Sequence, residues 1–265
     1  DGASMQSLVS LSGDPLARVL DGSLQDWMVF VHPSQVSMVR LDPTGPMSIR
    51  GGPGTGKTAV ALHRARWLVH GGHATSVLLT TFVNSLPRVW SALLDAMIIS
   101  PREREAVTTR TVDSLVWAVV REATGAPTLV TGAARTDLLE RALVDVPEAR
   151  VAIGDVEGFG EEIDVVIAGR GLGETSYYDA QRRGRRRALA AAQRRHVWRA
   201  YQGYLAALAE RESTDWAHLR VEALRLAESG AGPRFDPLII DEAQDLSEVQ
   251  LRFLLSLDAD PNHTA

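Results

Sequence analysis

No cysteine occurs in the 265 residues, which excludes disulfides, thiolate zinc sites and cysteine-ligated iron–sulfur clusters. No run approaches the roughly 18 consecutive apolar residues of a membrane span. The opening DGASMQSLVS lacks the basic start and apolar stretch of a secretory leader. These absences predict a soluble, cytoplasmic chain with no membrane contact and no metal cluster. The seven histidines are scattered without ligand spacing. Hydrophobic residues make up 45% and charged residues 23%, so the chain is neither collagen-like nor disordered, and it suffices for one large domain or two modest ones. A net charge of −5 rules out a surface that is basic throughout but leaves room for a segregated basic stripe.

Against this ordinary background stands GGPGTGKTAVALHRA, residues 51–65. Gly51, Gly56, Lys57 and Thr58 satisfy GxxxxGK[ST], in which backbone N–H groups curl around phosphates, Lys reaches the β/γ oxygens and Thr holds Mg2+. Gly52, Pro53 and Gly54 keep side chains out of the way, and Thr55 completes the loop. The preceding PMSIR reads as a short strand. The following segment places Val60, Ala61, Ala65, Leu68 and Val69 on one helical face, with Gly71 and Gly72 as a stop. Strand, glycine loop and helix in this order predict a nucleoside triphosphate site.

The second phosphate-site element is FDPLIIDEAQDLS, residues 235–247. Leu238, Ile239 and Ile240 read as a buried parallel strand, which leaves Asp241 and Glu242 at the sheet edge where open α/β sheets bind ligands. Asp241 is expected to hold Mg2+ through water, Glu242 to orient and deprotonate the attacking water, and Gln244 to sense the γ-phosphate. A strand end followed by an acidic helix start is the plain structural alternative.

Four further stretches resemble motifs of the UvrD/Rep group of superfamily 1 helicases. HPSQ ends at Gln35, sixteen residues before Gly51, and resembles the Q motif, whose glutamine reads adenine. An amide can pair with both N6 and N7 of that base. VLLTTFVNSL, residues 77–86, resembles motif Ia, in which Thr81, Phe82 and Asn84 lie on the single-strand track, Phe82 offering a stacking face. VTTRTVDSL, residues 107–115, resembles motif Ib with Thr111 on the strand path, although Asp113 stands where the family commonly has His. DEAQD, residues 241–245, matches motif II. LHRARWL resembles the family's helix after the loop, while Ala59 stands where many members carry Arg. The resemblance spans about residues 26–257 and implies ATP and Mg2+ as cofactors.

Roughly 120 residues separate the motif Ib and motif II stretches, far more than one crossover needs. The predicted architecture is therefore an α/β, RecA-like P-loop NTPase with a parallel sheet, made of residues 1–120 and 232–265. A mainly α-helical, nucleic-acid-contacting insertion occupies 121–231. Within it, VWRAYQGYLAALAERESTDWAHL resembles the family's closing helix and its Asp-aromatic pair, Asp215 and Trp216. Arg182, Arg183, Arg185, Arg186, Arg187, Arg194, Arg195 and Arg199 fall within eighteen residues and read as a landing strip for phosphates, with Tyr177, Tyr178, Trp198 and Tyr201 near enough to stack bases. The competing reading is a solvated face whose aromatics point into a core, since Leu189, Val197, Trp198, Tyr201, Tyr204 and Leu205 lie near one stripe. GRGLGE, residues 169–174, reads as a turn rather than a second nucleotide site.

By this resemblance the chain is an ATP-dependent DNA helicase or translocase acting on single-stranded or partly duplex DNA. Its start at Asp1 and its end soon after motif II suggest the front half of a longer motor that lacks motifs III to VI, weak or inactive alone. Two alternatives share the same loop: a HelD-like ATPase that remodels RNA polymerase, and the motor part of a helicase-nuclease.

Overall fold

The computed structural model describes residues 30–43, 45–182 and 187–259. Its elements in chain order are a 3-10 turn Pro33–Gln35, α1 (Val36–Val39), α2 (Lys57–His70), β1 (Val77–Thr81), α3 (Leu86–Met97), α4 (Pro101–Glu105), β2 (Val107–Thr111) and α5 (Val112–Thr124). There follow β3 (Thr128–Leu129), α6 (Gly132–Asp145), α7 (Pro147–Ile153), α8 (Val156–Glu161), a π-helical turn Glu162–Ile167, α9 (Glu174–Asp179) and α10 (Ala191–Ala209). Last come β4 (Ser213–Thr214), α11 (Trp216–Glu228), β5 (Leu238–Asp241), a 3-10 turn Ala243–Asp245 and α12 (Glu248–Ser256). The predicted α/β class with a parallel sheet is the one the chain adopts.

The chain divides into two compact units. One holds the described residues up to Thr109 together with Asp236–Asp241; the other holds those of Arg110–Phe235 and Glu242–Ala259. In the first, the sheet order is β2-β1-β5. β1 and β5 run parallel, with Leu78 opposite Leu238 and Thr81 opposite Asp241. β1 is buried at all five positions, as expected of a strand covered on both faces. Leu62, Ala65, Leu68, Leu79, Trp90, Leu94 and Ile239 form one apolar cluster. Trp90, Leu93 and Leu94 are the buried positions of α3 and share a face at helical spacing. Arg104 ties three elements together, donating to Asp95 (2.6 Å), Ser91 (2.7 Å) and the Val107 carbonyl (2.8 Å).

PMSIR does not form the predicted strand: residues 46–50 carry no strand assignment. The expected alternation is present, since Met47 and Ile49 are half-buried while Ser48 and Arg50 are exposed. Pro46 lacks an N–H for a ladder, and alternation without a partner strand does not make a sheet.

The second unit is mainly helical. Its core gathers Leu138, Leu143, Phe159, Ile163, Tyr177, Val197, Tyr201 and Tyr204 from α6, α8, the π turn, α9 and α10. Tyr177, Phe159 and Tyr204 are fully buried, so the apolar stripe read on α10 is a core face, and Tyr177, Trp198 and Tyr201 belong to it rather than to a solvent platform. Asp113 accepts both guanidinium arms of Arg220 (2.8 and 2.7 Å) and a hydrogen bond from Gln250 (3.2 Å), joining α5, α11 and α12. The residue that departs from the resembled motif is thus a three-helix clamp. Residues 168–171 form a turn, as expected, and the Gly169 carbonyl accepts from the Val249 amide at 3.0 Å.

Candidate functional site

The loop at residues 51–56 wraps with little side-chain bulk. Gly54 and Gly56 sit at φ +73° and +80°, conformations that favour glycine. A Cβ on Gly51 would come within 2.7 Å of the Thr55 hydroxyl, which instead donates to the Gly52 carbonyl at 2.8 Å. Lys57 Nζ donates to the Gly51 and Gly52 carbonyls at 3.0 and 3.1 Å. It is the single lysine among 28 basic residues. A compact ammonium on a flexible stem suits phosphate as a point charge.

Gly56 caps α2 without a side-chain hydrogen bond. By contrast Thr111, Asp215 and Ser247 cap α5, α11 and α12 through their side-chain oxygens. The first amides of α2 are therefore suited to an anionic oxygen. Thr58 Oγ1 donates to Asp241 Oδ2 at 2.8 Å, so the two residues expected to serve one cation are in contact although 183 positions apart in sequence. Among the described residues no three His, Cys, Asp or Glu side chains are grouped for a metal. Mg2+ is commonly held by one or two protein groups and completed by phosphate oxygens and water, and the Thr58–Asp241 pair supplies two such groups. The loop glycines, the cap of α2 and the Thr58–Asp241 pair fit Mg·ATP.

Gln35 lies against this loop. Its Nε2 donates to the Thr55 carbonyl at 2.7 Å, and its Oε1 accepts from the His32 amide at 3.2 Å. One amide hydrogen and one carbonyl lone pair remain for a ligand. Glu242, the residue after β5, occupies the left-handed region at φ +54°, a conformation that costs of order 1 kcal/mol outside glycine and that clusters at functional sites. Its carboxylate accepts from the Gln244 amide.

The motif Ia residues emerge at the carboxyl end of β1. Thr81 is buried and its hydroxyl accepts from the Val83 amide at 3.2 Å, while Phe82 is 44% exposed and Asn84 is exposed. Phe82 and Asn84 present themselves to solvent and Thr81 shapes the turn that carries them. Thr111 is buried, and its hydroxyl accepts from the Ser114 amide at 3.2 Å as the cap of α5.

The arginine run is split. Arg182 turns inward: its side chain is 5% exposed and forms a bidentate pair with the fully buried Glu162, at 2.6 and 2.7 Å. Arg194 donates to the carbonyls of Tyr177, Tyr178 and Ala180, ending α9 against α10. Both are therefore internal staples instead of landing points. Arg187, Arg195 and Arg199 are exposed. Arg183, Arg185 and Arg186 lie outside the described residues.

Two arrangements gave no signal in sequence. The first is a buried polar network in the helical unit. Asp215 accepts from Arg135 (2.9 Å), Tyr204 (2.7 Å), and the His218 amide and ring (2.9 and 2.6 Å). Arg135 also grips Asp164 at 2.6 and 3.1 Å. Burial alone would push the Asp215 carboxyl up, but the bonds from His218 and Tyr204 hold it well below the usual carboxylate range. Burial pushes Asp164 up against the pull of Arg135. The second is Arg64, buried in the middle of α2.

Among the described residues no helix is long and apolar enough to cross a membrane. No curated protein matches the chain. A family model described as an AAA domain matches residues 35–264, which takes in the Gln35 contact, the glycine loop and the Asp241 strand end. The match covers most of the chain, and the chain accordingly belongs to this AAA domain family, AAA_19, as a P-loop NTPase domain of the superfamily 1 helicase type.

Proposed function

We propose that the chain binds Mg·ATP at residues 52–58 and Gln35, and that ATP hydrolysis here drives movement along single-stranded DNA, as in a helicase or translocase of UvrD/Rep type. The observation that carries the reading is the 2.8 Å contact between Thr58 and Asp241, which joins the phosphate loop to the strand end beside which β1 delivers Phe82 and Asn84. Lys57 neutralises charge on the β/γ-phosphates, Thr58 and Asp241 hold the cation, Glu242 takes the proton of the attacking water, and Gln244 orients that carboxylate. Mg2+, when bound, withdraws charge from the transferring phosphoryl group. Phe82 offers a stacking face to a base and Asn84 a polar contact to the backbone. We assign the motor function to residues 1–120 with 232–265 and strand contact to the insertion 121–231, a functional division that differs from the two compact units at residues 110–120, 232–235 and 242–259.

The test is ATP turnover by this chain with and without a single-stranded DNA oligonucleotide, Lys57→Ala serving as the blank. Turnover that rises with the oligonucleotide supports the reading. Nucleotide binding together with turnover indifferent to nucleic acid and no binding of the oligonucleotide would leave an ATPase domain and remove the DNA motor.

A further inference from the structure

Arg64 sits two turns into α2 and is only 4% exposed. Arginine is seldom buried without a paired carboxylate. Here Nη1 donates to the Leu41 carbonyl at 2.6 Å and to the Val39 carbonyl at 3.3 Å, while Nε is buried with no partner among the described residues. Burial pulls its pKa down, with Asp42 acting the other way. An apolar side chain would fill this helix position without desolvating a charge. What the guanidinium supplies is a grip on two carbonyls at the end of α1.

The other end of α1 is where base reading belongs. Gln35 immediately precedes α1 and returns to the loop through Thr55. A Cβ built on Gly56 would lie 3.5 Å from Gln35 Nε2, so the amide occupies the space that a side chain at the residue before Lys57 would meet. The path closes on itself: the loop begins α2, α2 holds α1 through Arg64, and α1 holds Gln35 against the loop.

We infer that Arg64 is a positioning residue for base selection, fixing the Gln35 amide where its remaining hydrogen and lone pair meet the edge of an adenine. The inference rests on the ATP-binding reading above. It assigns discrimination between ATP and GTP to a residue that touches neither nucleotide. Guanine presents an acceptor where adenine presents the N6 donor, so a displaced amide loses its preference while the phosphate grip persists.

The experiment is competition binding of Mg·ATP and Mg·GTP to the full chain, with inorganic tripolyphosphate as the base-free probe. Gln35→Ala should collapse the ATP preference. Arg64→Met should lower the ATP/GTP ratio by about tenfold, roughly the loss expected for one misaligned bidentate contact, with tripolyphosphate affinity within about twofold. The double variant should discriminate no worse than Gln35→Ala, because Arg64 acts through that amide. Arg64→Lys keeps the charge without the fixed fork and should give an intermediate ratio; it decides the matter if Arg64→Met does not fold. Equal loss of all three ligands in Arg64→Met, additive losses in the double variant, or a wild-type ratio in Arg64→Lys would overturn the inference. A wild-type ratio in Gln35→Ala would sink the adenine reading itself, and intact tripolyphosphate binding in Lys57→Ala would sink the phosphate site.

Discussion

Lys57 and Glu242 separate binding from chemistry. Lys57 Nζ is shared between two loop carbonyls at 3.0 and 3.1 Å, and a triphosphate offers it stronger, charged acceptors within the same sweep of the side chain. Lys57→Ala should therefore weaken ATP binding by at least about tenfold, the scale of one charge-assisted hydrogen bond, in a titration with a fluorescent ATP analogue. Unchanged affinity would mean that the loop is not the site. Glu242 is held differently, by a left-handed backbone at φ +54° and by the Gln244 amide. Glu242→Gln keeps size and backbone demand but cannot take a proton. Binding should stay within about twofold while turnover falls by about a hundredfold or more, as for loss of a general base. Parallel loss of both would give Glu242 a structural role.

Helix-to-helix connections rest on charge. The Arg182–Glu162 pair is almost wholly buried, so Arg182→Met takes the bidentate partner from a buried carboxylate that keeps the Tyr177 hydroxyl at 3.0 Å, and should cost up to about 3 kcal/mol, read as a drop in thermal midpoint. The Asp215 network gives the same unit a pH signature. Its carboxyl is depressed in the folded chain. The stability it supplies is therefore complete above the unfolded carboxylate range near pH 4 and is lost as pH falls toward the lower folded value. Asp164 is shifted up and tempers this from the other side, since it favours the folded chain when protonated. Melting midpoints between pH 6 and pH 3 should drop in the natural chain, and Asp215→Asn should start lower at pH 6 and decline less. A profile identical in both proteins would remove Asp215 from the acid transition.

The same elements show what a sequence can disclose. The start of α2 was legible because glycine, lysine and threonine at fixed spacing answer to local geometry, and its stop because Gly71 follows a periodic apolar run. The burial of Val197, Trp198, Tyr201 and Tyr204 was legible from one helical stripe. Arg182 was not, because a run of arginines looks alike in sequence whichever way each side chain turns, and its partner Glu162 is twenty positions away in a π turn. Asp113 was visible as a departure, but Arg220 and Gln250, which explain it, are more than a hundred residues downstream. The 46–50 strand failed for a related reason: alternation reports facing, whereas a strand needs a neighbour.

Across the whole molecule, charge of one sign is unevenly spent: 28 basic side chains meet 33 acidic ones, and Arg64, Arg135, Arg182, Arg194 and Arg220 are engaged in internal bonds. Exposed Arg187, Arg195 and Arg199 are the better candidates for phosphate contact. Changing these three to glutamine should flatten the salt dependence of oligonucleotide binding by about 0.7 log units per log salt for each lost contact, with the thermal midpoint nearly unmoved. An unaltered slope would return them to the solvated surface. The basic chemistry of the chain has a further consequence at its one lysine. Lys57 is the sole side-chain amine in 265 residues. An acylating reagent therefore writes its mark, apart from the chain terminus, at the centre of the phosphate loop. Trypsin cannot cut at acylated Lys57 and so releases the labelled loop as residues 51–64, whereas the unlabelled chain is also cut after Lys57; labelling carried out in saturating Mg·ATP should give little of the 51–64 peptide, and labelling after the nucleotide is washed out should restore it, which makes that peptide an occupancy gauge.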